Sequence, residues 1–142
     1  MPTIAIISLH NHNIETFYDD IEPNQKKYGG PWGWSDHTIH VQVPEGLDKD
    51  ILKAVKTQEG TYEFTIDEVK KANKIANQWT SVRYQRNEKL KESDWSQFAD
   101  VPLTAEKKQE WMVYRQALRD FPGSLTDEEV INLGGLVWPE KP

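Results

Sequence analysis

The sequence predicts an α+β protein, with a small N-terminal antiparallel β domain at residues 1–64 and a helical domain at residues 65–142. Two observations predict this division. Short runs rich in β-branched residues alternate with turn residues before Phe64, whereas charged segments with helical periodicity follow it. The chain has 142 residues, enough for one domain or two very small ones. We expect a sheet or sandwich first, then one long helix and a helical hairpin.

The first part contains four short segments typical of strands. They are residues 3–9, 14–17, 38–43 and 61–64. The segments alternate apolar and polar residues or are rich in β-branched ones, and Gly, Pro or Asn separates them. Residues 47–55 fit a short helix or a strand equally well. Several short strands within about sixty residues are typical of a small antiparallel sheet or sandwich.

A long loop interrupts the predicted strands at residues 22–35. Gly and Pro exclude a regular helix here, and three aromatic residues, Tyr28, Trp32 and Trp34, lie among them. Two interpretations stay open. The rings either cover the small sheet as part of its core, or they anchor a partner or a sugar, because aromatic side chains provide contact area at low entropic cost.

The second part opens with a predicted helix of about 25 residues. Thr65 and Glu68 have the spacing of a capping box, and Phe64 and Val69 occupy the staple positions. One face then carries an apolar stripe: Val69, Ala72, Ile75, Ala76, Trp79 and Val82. A helix of this length spans roughly 37 Å. We expect its stripe to pack on another helix, on a partner protein or on a second copy.

A second helix is predicted from Thr104, a good N-cap, to about Asp120. Four of its residues share one face and are the expected core of a helical hairpin: Trp111, Tyr114, Arg115 and Leu118. Arg115 and Arg119 are expected to pair with Asp94, Asp100 or Asp120 and to fix the turn between the helices.

A third, short helix is predicted after Thr126, which forms a capping box with Glu129. Gly134 and Gly135 end it. The last residues are expected to be extended, because Trp138 and Lys141 each precede a proline.

Composition and motifs exclude several function classes. The chain has no Cys, which removes disulfides, thiolate metal sites and Cys catalysis. No nucleophile motif or phosphate-binding loop is present, so we predict no catalytic residue and no cofactor. His10 and His12 would share one side of a strand, but turn histidines are the favoured interpretation over a metal site. A net charge of −6 disfavours nucleic acid as a partner, and no segment is apolar enough to span a membrane.

The last third of the chain carries linked submotifs at fixed spacing. They are Arg86-Asn87, Leu90, Ser93-Asp94-Trp95, Asp100-Val101-Pro102-Leu103, Trp111-x-x-Tyr114-Arg115-x-x-Leu118-Arg119-Asp120 and Trp138-Pro139-x-x-Pro142. Over residues 86–142 this pattern resembles the tail fibre assembly chaperones of tailed bacteriophages. The resemblance implies a non-enzymatic factor that binds the distal part of a fibre polypeptide and helps it to trimerise.

The resemblance also implies partners and a place of action. The partner would be a phage tail fibre protein in a three-to-three complex, with the chaperone self-associating to a trimer on the fibre. As a late protein, it would act in the cytoplasm of the host bacterium. The client-binding candidates are Tyr28, Trp32 and Trp34. The packing or assembly candidates of the helical domain are Val69, Ile75, Trp79, Val82, Asp94, Trp95, Trp111, Tyr114, Arg115, Leu118, Arg119 and Trp138.

Two other functions remain open at this point. One is a structural adaptor that stays at the fibre tip of the virion. The other is a metal- or sugar-binding β domain, built on the His and Trp residues of the first part.

Overall fold

The computed structural model describes residues 3–19 and 38–142. The chain divides into two compact units, Met1–Lys71 and Ala72–Pro142, called here the N-terminal and C-terminal units. Antiparallel strands form the first unit, and helices form the second. The predicted α+β class and the order of its two parts are therefore confirmed.

A three-stranded antiparallel sheet opens the N-terminal unit. Its strands are β1 (Ile4–Ser8), β2 (Ile14–Tyr18) and β3 (Thr38–Gln42), in the spatial order β2-β1-β3. All five residues of β1 are buried, so both faces of the central strand are covered. This explains why β1 reads as a continuous apolar run, whereas its neighbours alternate.

A second, two-stranded sheet consists of β4 (Leu52–Lys56) and β5 (Tyr62–Ile66), which pair antiparallel. The turn between them contains Gly60 at a φ of 84°, in the left-handed region that glycine adopts without strain. The segment 47–55, which fits a short helix or a strand equally well, contains first a helical turn and then a strand. A 3-10 turn at Lys49–Ile51 leads directly into β4.

The core of the N-terminal unit lies between the two sheets. It combines side chains from β1, β4, β5 and the residue after β3: Ala5, Ile7, Val43, Leu52 and Tyr62. Burying a large aliphatic side chain stabilises the fold by about 1.5–3 kcal/mol relative to leaving it exposed. A two-stranded sheet is only marginally stable alone, so packing in this shared core stabilises the pair β4 and β5.

The long helix α1 spans Glu68–Glu92, the predicted 25 residues, but its predicted cap is wrong. Thr65 belongs to β5, where it pairs with Lys53. The cap is Asp67, whose Oδ1 accepts from the backbone N–H groups of Val69 (3.0 Å) and Lys70 (3.1 Å). Because Thr65 pairs in the sheet, the N-cap of the helix is Asp67 instead of Thr65.

Helix α2 spans Ala105–Asp120, as predicted, and the hydroxyl of Thr104 caps it by accepting from the N–H of Lys107. A 3-10 turn at Phe121–Ser124 follows. Helix α3 then covers Asp127–Ile131, and a final 3-10 turn at Leu133–Gly135 leads into the extended C-terminal residues.

The predicted capping box of α3 is present. The hydroxyl of Thr126 accepts from the N–H of Glu129, and the Glu129 carboxylate accepts from the N–H of Thr126 at 2.8 Å. The backbone hydrogen bond, followed by one from the Thr126 hydroxyl, lowers the pKa of Glu129 below its ordinary value. The carboxylate therefore stays ionised to a lower pH than a free glutamate.

The cap of α1 yields a test. Asp67→Ala should destabilise the protein by about 1 kcal/mol, because two N–H groups lose their acceptor. Asp67→Asn keeps an acceptor oxygen and should cost less. Urea unfolding followed by circular dichroism measures both variants. Equal losses in the two would contradict the capping role of the Asp67 side chain.

Candidate functional site

The turn between α1 and α2 is held by one buried arginine. Arg115 is only 7% exposed, and its Nη1 donates to the carbonyl of Leu90 and to the hydroxyl of Ser93, both at 2.6 Å. Its Nη2 donates to Oδ1 of Asp94 at 2.8 Å. The expected pairing of Arg115 with Asp94 is thus present. We call this group, Arg115 with Leu90, Ser93 and Asp94, the Arg115 clip.

The clip provides a hydrogen-bond donor for a backbone carbonyl that the end of α1 leaves without an intrahelical partner. The carbonyl of Leu90 belongs to the last turn of α1, where carbonyls lack intrahelical partners and the helix dipole is negative. The Ser93 hydroxyl donates to the same carbonyl at 2.8 Å and accepts from Arg115. A guanidinium has a rigid fork of donors, which matches this set better than the ammonium of a lysine. Arg115 therefore joins the end of α1 to the middle of α2.

The two charged side chains of the clip differ in their exposure to solvent. Arg115 is buried, whereas the side chain of Asp94 is 59% exposed. The Nε of Arg115 is also buried, and it has no hydrogen-bond partner among the described residues. Burying a cation costs free energy unless its donors are satisfied. The clip thus contributes a fixed geometry between two helices more than a large net stability.

Aromatic rings close the core next to the clip. Trp111, Tyr114 and Leu118 form its buried centre. The ring of Trp95 meets Trp111 edge-on at 5.2 Å between centroids, and Tyr114 meets it at 5.8 Å. Edge-to-face pairs are favourable because the positive edge of one ring meets the negative face of the other. The predicted hairpin face is therefore mainly internal packing.

The C-terminal segment covers this core. Trp138 packs against Phe121 with ring centroids 4.5 Å apart, and Lys89 lies over the Trp138 ring at 5.3 Å. Lys141 lies 5.7 Å from the centre of the Trp111 ring. Cation–π contacts of this kind contribute about 0.5–1 kcal/mol at exposed sites. The Trp-Pro motif thus has a packing role within the C-terminal unit.

Helix α3 is connected to the middle of α1. The indole N–H of Trp79 donates to Oδ1 of Asp127 at 2.8 Å, and Arg83 lies over the Trp79 ring. Val82 of α1 and Val130 of α3 are both fully buried. The second half of the predicted stripe is therefore used inside the chain.

The remaining candidates are more exposed. Val69 is 71% exposed, Ile75 is half-buried, and Arg119 is exposed. Asp120, another aspartate close to Arg119, accepts two hydrogen bonds from the amide of Gln116. The structure brings the other helical candidates together around the clip, the aromatic core and the Trp79 contact. Their proposed assembly role stays a prediction.

Tyr28, Trp32 and Trp34, the client-binding candidates, lie outside the described residues. Whether these rings belong to the core or to a partner-binding surface stays open.

His10 and His12 lie between β1 and β2 rather than on a strand, whereas His40 lies in β3. His10 follows β1, and His12 adopts a φ of 60°, in the left-handed region. The Nδ1 of His12 is 2.8 Å from the hydroxyl of Tyr62, a residue of the sheet core. Within residues 3–19 and 38–142, no group of three or more His, Cys, Asp or Glu is placed to hold a metal ion.

Two surface features were not predicted from the sequence. Met112 and Val113 are more than half exposed on α2, opposite its core face. A groove of about 470 Å³ lies between the turn after α2, α3 and the segment that ends at Val137. Its lining residues come from three short elements, so no periodicity marks them. The described helices include none that is long and apolar enough to cross a bilayer.

The buried position of Trp111 gives a sharp comparison. Trp111→Ala should lower the free energy of unfolding by roughly 3–5 kcal/mol, because it leaves a cavity and removes two ring contacts. Met112→Ala, at the exposed neighbouring position, should change it by less than about 1 kcal/mol. Chemical denaturation measures both. Similar losses at the two positions would contradict the packing described here.

Comparison with known proteins identifies the region that contains the clip and the aromatic core. The family model described as phage tail assembly chaperone protein matches residues 79–142. No curated protein and no solved structure gives a significant match to the chain. The matched region begins at Trp79 and includes α2, α3 and the C-terminal segment. The resemblance in the sequence is thus confirmed for the C-terminal region, which matches the phage tail assembly chaperone family over residues 79–142.

Proposed function

We propose that this protein is a molecular chaperone for the folding and trimerisation of a phage tail fibre, and that it binds the distal part of the fibre. The observation that carries this proposal is the family match over residues 79–142, which supports a role in tail assembly. The fibre as client and the formation of a trimer are our inferences. Assembly of this kind makes and breaks no covalent bond, so we propose that the protein is not an enzyme.

The physics of fibre assembly explains why such a partner is needed. Intertwined trimers form contacts between residues far apart in sequence, so they fold slowly. Before the chains close around each other, exposed strand edges invite aggregation. A partner that covers those edges, or brings three chains together, removes part of the entropic barrier. This requirement favours a chaperone with one surface for the client and another for assembly.

The N-terminal unit supports a client-binding role. In the sheet order β2-β1-β3 of the described residues, β2 and β3 are the outer strands. An outer strand can bind an extended segment by adding it to the sheet through main-chain hydrogen bonds. We propose that the aromatic residues of the predicted loop 22–35, Tyr28, Trp32 and Trp34, add side-chain contacts to the client.

We assign the assembly role to the C-terminal unit, which carries the family match. Aromatic residues such as Trp111 and Tyr114 are buried in the core of this unit. Because the client is a trimer, we propose a three-to-three complex in which the fibre imposes its threefold symmetry on the chaperone. The complex would form in the cytoplasm of the host bacterium while the virion is assembled.

Co-expression with a tail fibre protein of the same phage tests the function. We expect the chaperone to raise the soluble fraction of the fibre and to co-purify with it. Native mass spectrometry of the complex should give three chaperone and three fibre chains. Equal fibre solubility with and without the chaperone would contradict the function, and one chaperone per fibre trimer would contradict the symmetric complex.

Trp32 tests the client surface separately. Trp32→Ala should leave the thermal unfolding midpoint unchanged but reduce the amount of fibre that co-purifies, because an anchor ring is lost. Phe98→Ala is the matched control, since Phe98 is an exposed ring (62%) in the C-terminal unit. Unfolding of the Trp32→Ala protein would show that the ring belongs to the core, and unchanged fibre binding would also contradict the anchor role.

A further inference from the structure

The backbone hydrogen bonds of the hairpin β4–β5 show which residues point away from it. The N–H of Asp67 donates to the carbonyl of Ile51 at 2.7 Å, and the N–H of Thr57 donates to the carbonyl of Thr61 at 2.8 Å. These two bonds lie at opposite ends of the hairpin and fit one register. Opposite residues of an antiparallel pair alternate between hydrogen-bonded and non-hydrogen-bonded pairs. The odd-numbered residues therefore bond across the hairpin, and the backbone groups of the even-numbered residues point outward.

On β5 the outward residues are Tyr62, Phe64 and Ile66. No hydrogen bond between described residues uses their backbone N–H or C=O groups. An edge of this kind presents a row of donors and acceptors to another chain. The edge therefore selects an extended polypeptide as its occupant, because a backbone in the β conformation matches this row group for group.

The outer edge of β4 is protected, whereas that of β5 is not. Lys70 donates from α1 to the carbonyl of Leu52, at the start of β4, at 2.8 Å. Lys53 and Lys56 are exposed on the same strand. Lysine on an edge strand is a means by which proteins prevent pairing with other chains. β5 contains no lysine, so the hairpin favours its β5 side for an added strand.

The outer strands of the first sheet offer less regular edges than β5. The pairing of β2 with β1 shifts its register between Ile6 and Ile7. A bulge of this kind bends a strand and disrupts its ladder. On β3, Thr38 and His40 already take part in further interactions. We therefore select β5 among the outer strands of the N-terminal unit.

The side chains of β5 add a preference for the sequence of the occupant. Tyr62 is buried in the core and Phe64 packs against it, whereas Ile66, on the same side of the strand, is 42% exposed. Glu63 and Thr65, on the other side, are exposed. Since side chains alternate between the two faces of a sheet, every second residue of an added strand would lie beside Phe64 and Ile66. Apolar residues at those positions would cover both side chains.

We propose that an extended segment of the client, with alternating apolar and polar residues, adds to the outer edge of β5 and extends the hairpin to three strands. Its backbone exchanges hydrogen bonds with Tyr62, Phe64 and Ile66. A sheet of three strands with an apolar face is more stable than an isolated pair, and the same contact covers an open edge of the client. The inference rests on the proposed function for the identity of the client and adds the binding site and its chemistry.

Amide hydrogen exchange tests the edge without any client. In NMR measurements on the free full-length chain, the amides of Phe64 and Ile66 should exchange at least about tenfold faster than those of Val55 and Glu63, which bond across the hairpin. Equal protection of all four would show that the edge is already covered and would overturn the proposal. Protection that rises with protein concentration would identify a second copy as the occupant and would also overturn it.

Matched proline substitutions test binding. Proline has no N–H and is tolerated on an edge strand where that group points outward. Ile66→Pro removes an outward N–H at the end of β5, and Lys56→Pro does the same at the end of β4. Ile66→Pro should reduce the amount of co-purified fibre roughly threefold to tenfold, the effect of a lost main-chain hydrogen bond. Lys56→Pro should leave that amount unchanged, and equal binding by the two variants would contradict the β5 site.

Two further measurements separate side-chain and folding effects from the edge itself. Ile66→Ala keeps the N–H and should bind more fibre than Ile66→Pro, and thermal melting should show that all three variants fold. In the complex of the native chain with the fibre, the amides of Phe64 and Ile66 should become protected. Fibre binding without this protection would overturn the inference and leave the proposed function standing. A native chain that neither binds nor solubilises the fibre would contradict the function itself.

Discussion

The C-terminal unit depends on the hydrogen bonds of a single buried guanidinium. Arg115 reaches from the middle of α2 to the last turn of α1 and to the first residues after it. A chain reversal between two helices leaves carbonyls without partners, and burial makes each of them costly. Arg115 donates from α2 to one of them, the carbonyl of Leu90, and thereby fixes the turn to α2. Loss of its donors would leave Leu90, Ser93 and Asp94 without the group that orders them.

Around the clip, several aromatic residues pack in the core of the C-terminal unit instead of forming a contact surface. Trp111 and Tyr114 are buried, and Trp138 closes the core from the C-terminal segment. Features that stay open to solvent include the exposed Tyr84 and the groove of about 470 Å³ next to α3. The rings of this core are therefore held inside the C-terminal unit.

Much of the helical part could be predicted because its signals are local. The caps at Thr104 and Thr126, and the core face of α2, all follow from residues within one or two turns of each other. The start of α1 could not be predicted in the same way. Thr65 is a plausible cap by local rules, but it pairs with Lys53 in a sheet, and a contact across the chain overrode the local preference.

By itself, the sequence determined the α+β class, the long helix, the capped helices after it and the family of the C-terminal region. These depend on short-range periodicity and on motifs that lie in one segment. Tertiary structure alone decided that the strands divide into two sheets around one core. It also decided which acceptors Arg115 reaches and that three separate elements enclose a groove. Such features depend on contacts between residues that are far apart in the chain. Local sequence patterns do not reveal which of these residues come into contact.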